Sequence, residues 1–255
     1  MNDVKQFILL DYFKKISWFV IVLLMILGSS AGYLFSLFQP QIYEARAVIA
    51  VTIDYTKTGE LSDIQEDQAM RGFGGIIDAP FTLKETVKAV QEAGIEINLE
   101  QFREKISLER EEFRWLLRVR DEDPNRVSEL ANIWAQQAMI VLTDASIHAL
   151  NADYLQRYLE SLGSCLERMA NVNQAQVPCA FPYLEELLSE IESAGVLAHK
   201  EKEASLGLMP AISFFLSDQA SPPASPILYH RNLLVFAGAL VGFICALFIN
   251  PILRK

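Results

Sequence analysis

Two uncharged apolar runs, one near each end, constrain this chain more than anything between them. ISWFVIVLLMILGSSAGYLFSLF at residues 16–38 and LLVFAGALVGFICALFI at residues 233–249 contain no Asp, Glu, Lys or Arg. A helix of about 20 such residues crosses a hydrocarbon core about 30 Å thick, so each run is predicted to be a transmembrane helix. A cleaved signal peptide fits the first run less well: its apolar stretch is too long, and no small-x-small site closes it before Gln39 and Pro40. Lys5, Lys14 and Lys15 precede the first run, and Arg254 and Lys255 follow the second. The positive-inside rule then puts both termini in the cytoplasm of a multi-pass membrane protein.

The expected organisation follows: a cytoplasmic tail at 1–15, a first span at 16–38, an extracytoplasmic domain at 39–231, a second span at 232–249 and a tail at 250–255. Tails this short bury no core, so the folded part lies outside. That part carries a net charge of about −13, which disfavours non-specific binding to nucleic acid or anionic lipid. Cys245 falls within the second span, while Cys165 and Cys179 lie where a disulfide can persist; both the bridged and the free state fit the sequence.

Within the outer domain, YEARAVIAVTID at 43–54 alternates in polarity and predicts a strand rooted at the membrane. Residues 55–80 are polar and acidic with Gly72, Gly74 and Gly75 clustered, and read as a loop; no Lys-Ser or Lys-Thr follows to make a phosphate cradle. A helix is predicted over 81–94, ending at Gly94, and 99–108 reads as a short helix or turn. FRWLLRVR at 113–120 is a second strand, with Phe113, Trp115, Leu117 and Val119 towards the helices and Arg114, Arg118 and Arg120 on the other face. Those arginines suit either ion pairs with acids such as Glu44 or contact with an anionic lipid headgroup or glycan.

Asp123 and Pro124 then start a helix as N-cap and first residue. Apolar residues from Val127 to Met169 hold three-four spacing, so one helix runs over 124–171, about 70 Å long, with Gly163 as a point of bending. Pro178 and Pro182 mark the far turn. A return helix presents Leu184, Leu187, Leu188 and Ile191, with Gly195 as its expected break. Residues 209–218 give a third strand, and Pro222, Pro223 and Pro226 favour a stiff extended connector into the second span. The fold class is therefore an α+β membrane protein: two terminal spans around an extracytoplasmic domain with a small membrane-proximal sheet and a long projecting helix.

Signatures of chemistry are absent. There is no H-E-x-x-H or Walker A sequence, and G-x-S-x-G occurs as GSSAG at 28–32, inside the first apolar run and not at a strand-to-helix turn; His148, His199 and His230 stand apart, and nothing calls for a cofactor or metal. The spans carry small-residue rows instead: Gly28, Gly32 and Ser36 in the first, Gly238, Gly242 and Ala246 in the second, a pattern that lets helices pack closely.

PQIYEARAVIAV after the first span, LLRVRDEDPNRVSELANIWAQQA around the start of the long helix, and QASPPASPILYHRNLLVFAGALVGFICAL into the second span together resemble the polysaccharide co-polymerase family, the Wzz-type chain-length determinants. The resemblance implies a non-enzymatic regulator of surface polysaccharide length or export, such as O-antigen, capsule or exopolysaccharide. It implies a homo-oligomer in the bacterial inner (plasma) membrane, beside an integral-membrane polysaccharide polymerase acting on a lipid-linked glycan. Asp123, Pro124 and Asn132 match the strand-to-helix junction of that family, and Pro222, Pro223 and Pro226 match its proline-rich approach to the second span. Gly238 and Gly242 match its small-residue face. The outer segment is compact for the family and no kinase domain is fused to it, which leaves a separate tyrosine kinase as a further partner. Two other functions compete: a receptor-like ligand-binding module signalling through a partner, and a carbohydrate-active enzyme built on some of the many acids.

Overall fold

A computed structural model describes residues 18–38, 40–170, 179–227 and 231–253. It divides into two units, one formed by residues 43–224 and the other by residues up to Ile42 and from Ser225 onward.

In the larger unit, β1 (Tyr43–Ile53), β2 (Ile106–Glu111), β3 (Arg114–Asp121) and β4 (Ile212–Asp218) form one sheet in the order β2-β3-β1-β4, with every neighbouring pair antiparallel. The period of two decides its faces: Ala45, Ala47, Ile49, Val51 and Ile53 of β1, with Trp115, Leu117 and Val119 of β3, all enter the main core. Against them pack a long helix, Pro124–Ala170, and shorter helices at Asp63–Ile77, Pro80–Glu92 and Leu99–Lys105; with α1 as Trp18–Leu37 and α2 as Tyr55–Thr58, the shorter three are α3, α4 and α5 and the long one is α6. Trp134 of α6, Phe73 of α3 and Phe102 of α5 are fully buried there, and the Phe102 and Trp134 rings meet edge to face at 6.1 Å.

The expected loop at 55–80 is instead largely helical. Ser62 and Gln65 form a reciprocal capping box that starts α3, and Met70, Phe73, Ile76 and Ile77 give it a buried face. Gly74 lies against the Trp115 indole, where a Cβ would collide with the ring. Its neighbours thus belong to a packed helix, and the glycine marks close approach. A further correction concerns residues 106–111, which extend into β2. Glu112, with φ +53°, and Phe113 turn the chain back into β3, so Phe113 is exposed at a hairpin tip and does not face the helices.

α6 runs unbroken for 47 residues, through Gly163. The return helix, α7 (Leu184–Ala204), is likewise unbroken at Gly195, contrary to expectation. One glycine costs a helix interior about 1 kcal/mol relative to alanine, too little to end a segment held by packing. Leu162 and Cys165 of α6 with Leu187 and Ala194 of α7 make a second small core. Cys165 and Cys179 are paired as a disulfide, one of the two states that the sequence leaves open. The turn expected around Pro178 lies outside the described residues.

In the other unit α1 pairs with α8 (Arg231–Leu253). Among the described residues α1 is long and apolar enough to cross a membrane; in α8 the apolar stretch, Asn232–Phe248, is shorter.

Candidate functional site

Beyond its core-facing row, α6 has a second apolar row that the other described residues leave open from Ile140 onward. Ile140, Ile147 and Tyr154 recur every seven residues, on the side away from Ala138, Leu142, Ala145 and Ala149; Ile133, one step earlier, packs against the main core. Ile140 is 60% exposed, Ile147 54% and Tyr154 71%, whereas the opposite row is 3% exposed or less. Met139, Ile140, Thr143, Asp144 and Ile147 line a shallow concavity on this face. A β-branched and aromatic ridge along one unbroken helix offers apolar area at low side-chain entropy cost, which suits packing against another surface.

The strand-to-helix junction is polar and fully engaged. Asp123 accepts from the backbone N–H of Asn125 at 2.8 Å and of Arg126 at 3.4 Å, capping α6, and Pro124 occupies the first helical position, where no N–H is missed. Asp121, its side chain 4% exposed, accepts from Lys105 Nζ at 2.6 Å, lies 3.4 Å from Arg126 and accepts from the Glu122 N–H. Burial pushes its carboxyl up, but the Lys105 ammonium, the Asp123 N–H and the Arg126 charge together outweigh that and hold it below the ordinary carboxylate value. Asn132 lies two turns into α6. Its Nδ2 donates to the Ala220 carbonyl at 2.9 Å, and its Oδ1 accepts from the Ala220 N–H at 2.8 Å. Asn132 is thus a clamp on the connector that carries Pro222, Pro223 and Pro226. Around those prolines, residues 219–226 form neither helix nor strand.

The arginines of β3 are occupied. Arg118 reaches Glu44 at 3.2 Å and Glu109 at 2.8 Å, and Arg120 reaches Glu44 at 2.8 Å. Arg114, near the hairpin, is the most exposed of the three and stands 3.9 Å from Glu111. The ladder is laced to β1 by Glu44, opposite Arg120 in the register, and to β2 by Glu109, which Arg118 reaches.

Among the described residues no group of three His, Cys, Asp or Glu is placed to hold a metal. His148 of α6 contacts Glu201 of α7 at 2.7 Å and Asp144 at 3.9 Å. Hydrogen bonds from His148 and Asn151 hold the Glu201 carboxyl below its ordinary value. His199 lies 3.7 Å from Glu203, and His230 lies outside the described residues.

α1 and α8 meet through their small residues. A Cβ on Gly28 would strike the Gly238 carbonyl, one on Gly32 the Leu234 carbonyl, and one on Gly242 the Leu24 carbonyl. Ala246 is fully buried beside Ile21. Sequence reasoning misses Asp121, Lys105, Ala220 and Glu201; the acid in RDEDP is the only visible signal, and the other partners lie far off in sequence.

No family model and no curated protein matches this chain. Among solved structures, one described as a full-length bacterial polysaccharide co-polymerase is similar to it, with 9% sequence identity and a TM-score of 0.34, covering 93% of this chain and 94% of that one.

Proposed function

We propose that this chain is a membrane-anchored, non-enzymatic regulator of surface-polysaccharide chain length or export that works as a homo-oligomer. In this reading residues 16–38 and 232–249 both span the bacterial inner membrane, both termini are cytoplasmic, and the domain at 39–231 stands outside beside an integral-membrane polymerase and its lipid-linked glycan. A separate tyrosine kinase is a further partner on the cytoplasmic side. The observation that carries the oligomer is the exposed ridge of Ile140, Ile147 and Tyr154 on a 47-residue helix, apolar area that no other described residue covers. The order of sequence motifs between the two apolar runs supplies the polysaccharide role. The closely packed glycine faces of α1 and α8 support a pair of spans that hold together without polar glue. Deleting the gene is expected to alter the length distribution or the amount of the surface glycan; a deletion strain with an unchanged glycan overturns the proposal.

A further inference from the structure

Local chemistry does little to hold α7 in place. Of its side chains only Leu187 and Ala194 are buried, while Leu184, Leu188, Val196 and Leu197 are each 46% exposed or more. Its N-cap, Tyr183, makes no side-chain hydrogen bond to the first turn, as Ser, Thr, Asp or Asn would. Just past its other end Leu206 takes φ +55°, a left-handed conformation that disfavours any residue with a Cβ. The ties to α6 are polar and partly open to water: Tyr158 Oη donates to Glu190 at 3.1 Å, and His148 and Asn151 meet Glu201. Hydrogen bonds that water can replace contribute little net stability. Two buried side chains and such rungs are a weak hold on a 21-residue helix that must be ordered from the open chain.

What remains is the Cys165–Cys179 bridge. Cys165 belongs to the small core with Leu162 and Leu187, and Cys179, its Cα 5.8 Å away, precedes the start of α7 at Leu184. Closing a ring of about 15 residues restricts the open chain enough to favour the docked state about a hundredfold. Access to the two sulfurs differs: Cys165 is 5% exposed, whereas Cys179 is half-buried and lies outside both helices. The chain holds no further thiol beside them, since Cys245 belongs to α8 in the other unit. The electron acceptor therefore comes from outside the chain. We propose that the α6–α7 end becomes stably folded only after oxidation by a thiol–disulfide oxidoreductase facing this domain, with Cys179 reacting first. The Cys179 thiolate attacks one sulfur of the oxidant's disulfide and expels the other as a thiolate. The Cys165 thiolate then attacks Cys179 Sγ, closes the bridge and expels the oxidant's first sulfur. Two protons leave the chain's thiols, and the two electrons end on the oxidant, now a dithiol. Disulfides persist in oxidising compartments, so the inference rests on the extracytoplasmic placement of residues 39–231 proposed above.

The test uses the full chain with Cys245→Ser, made in bacterial cells with and without their extracytoplasmic dithiol oxidase and quenched in acid before thiols are counted. No free thiol is expected in the first cells and two in the second. A bridge that forms equally well without the oxidase overturns the proposal. Cys165→Ala is expected to trap Cys179 in a mixed disulfide with the oxidase several-fold more than Cys179→Ala traps Cys165; equal trapping overturns the order of attack. In purified protein, reduction is expected to speed amide exchange of residues 184–204 about a hundredfold. Residues 43–53 and 114–121, and the emission of Trp115 and Trp134, should stay unchanged and show that the main core is intact. The double variant Cys165→Ala, Cys179→Ala should give the same pattern without reductant. Protection of 184–204 that survives both treatments overturns the proposal. Placement is scored separately with Lys57→Cys, an exposed position, in a chain whose other three cysteines are replaced, using a membrane-impermeant maleimide on spheroplasts. Two free thiols in oxidase-containing cells with Lys57→Cys labelled overturn the inference and keep the placement; two free thiols with no label overturn both. A closed bridge together with an unaltered glycan in the deletion strain keeps the inference and removes the functional reading.

Discussion

Asn132 and Ala220, 88 residues apart, exchange two hydrogen bonds, with the side-chain amide of one acting on the backbone of the other as a neighbouring strand would. Through this pair α6 holds the segment that continues into the proline-rich connector. Ala220 is 7% exposed, so its N–H and C=O have little access to water as a substitute. Asn132→Ala is therefore expected to lower unfolding stability by about 1–3 kcal/mol. Denaturant titration measures the loss, and faster proteolytic cutting near residues 219–224 localises it.

Two adjacent glycines of α3, Gly74 and Gly75, are expected to behave differently. Gly74→Ala drives a methyl into the Trp115 ring and should destabilise by about 1–3 kcal/mol. Gly75→Ala meets nothing within 4 Å and should stabilise by about 0.5–1 kcal/mol through helix propensity and a less flexible unfolded chain. Opposite shifts in thermal midpoint for adjacent glycines would separate a packed helix from a loop, where the two substitutions would act alike.

Asp121 links stability to acidity. Its folded carboxyl titrates below the ordinary value, so the unfolded chain binds the proton first as pH falls. The stabilisation it provides is complete above the unfolded value of about 3.9 and is lost as pH drops through the lower folded value. Asp121→Asn is expected to cost about 2 kcal/mol at neutral pH, in line with losing hydrogen bonds to a charged group. The gap between wild type and variant should close below about pH 4 in denaturant titrations.

Contact between α1 and α8 depends on their glycines. Gly28→Val or Gly238→Val places a side chain against the facing carbonyl and is expected to separate the helices. A cysteine pair at Ile21 and Ala246, which share a buried contact, reports it: cross-linking in membranes should be lost in either valine variant and kept in Gly75→Ala.

The ends of elements were legible where local chemistry decides them. Alternation in YEARAVIAV placed β1, and Asp123-Pro124 started α6 at its proper residue because cap and proline act within one turn. Residues 62–77 misled because their glycines and acids resemble a loop, whereas the Ser62–Gln65 box and four spaced apolar residues make a helix. Arg118 illustrates the limit in the candidate site: its alternation set its face, but Glu44 and Glu109 come from strands on either side of it.

By itself, the sequence determined the apolar end segments and the long helix, since each is a property of residues within a few turns of one another. Only tertiary structure decided that Asn132 clamps Ala220, that Gly74 admits Trp115 and that Arg118 is neutralised. Those relationships join residues tens of positions apart, and chain folding sets their distances while local periodicity does not.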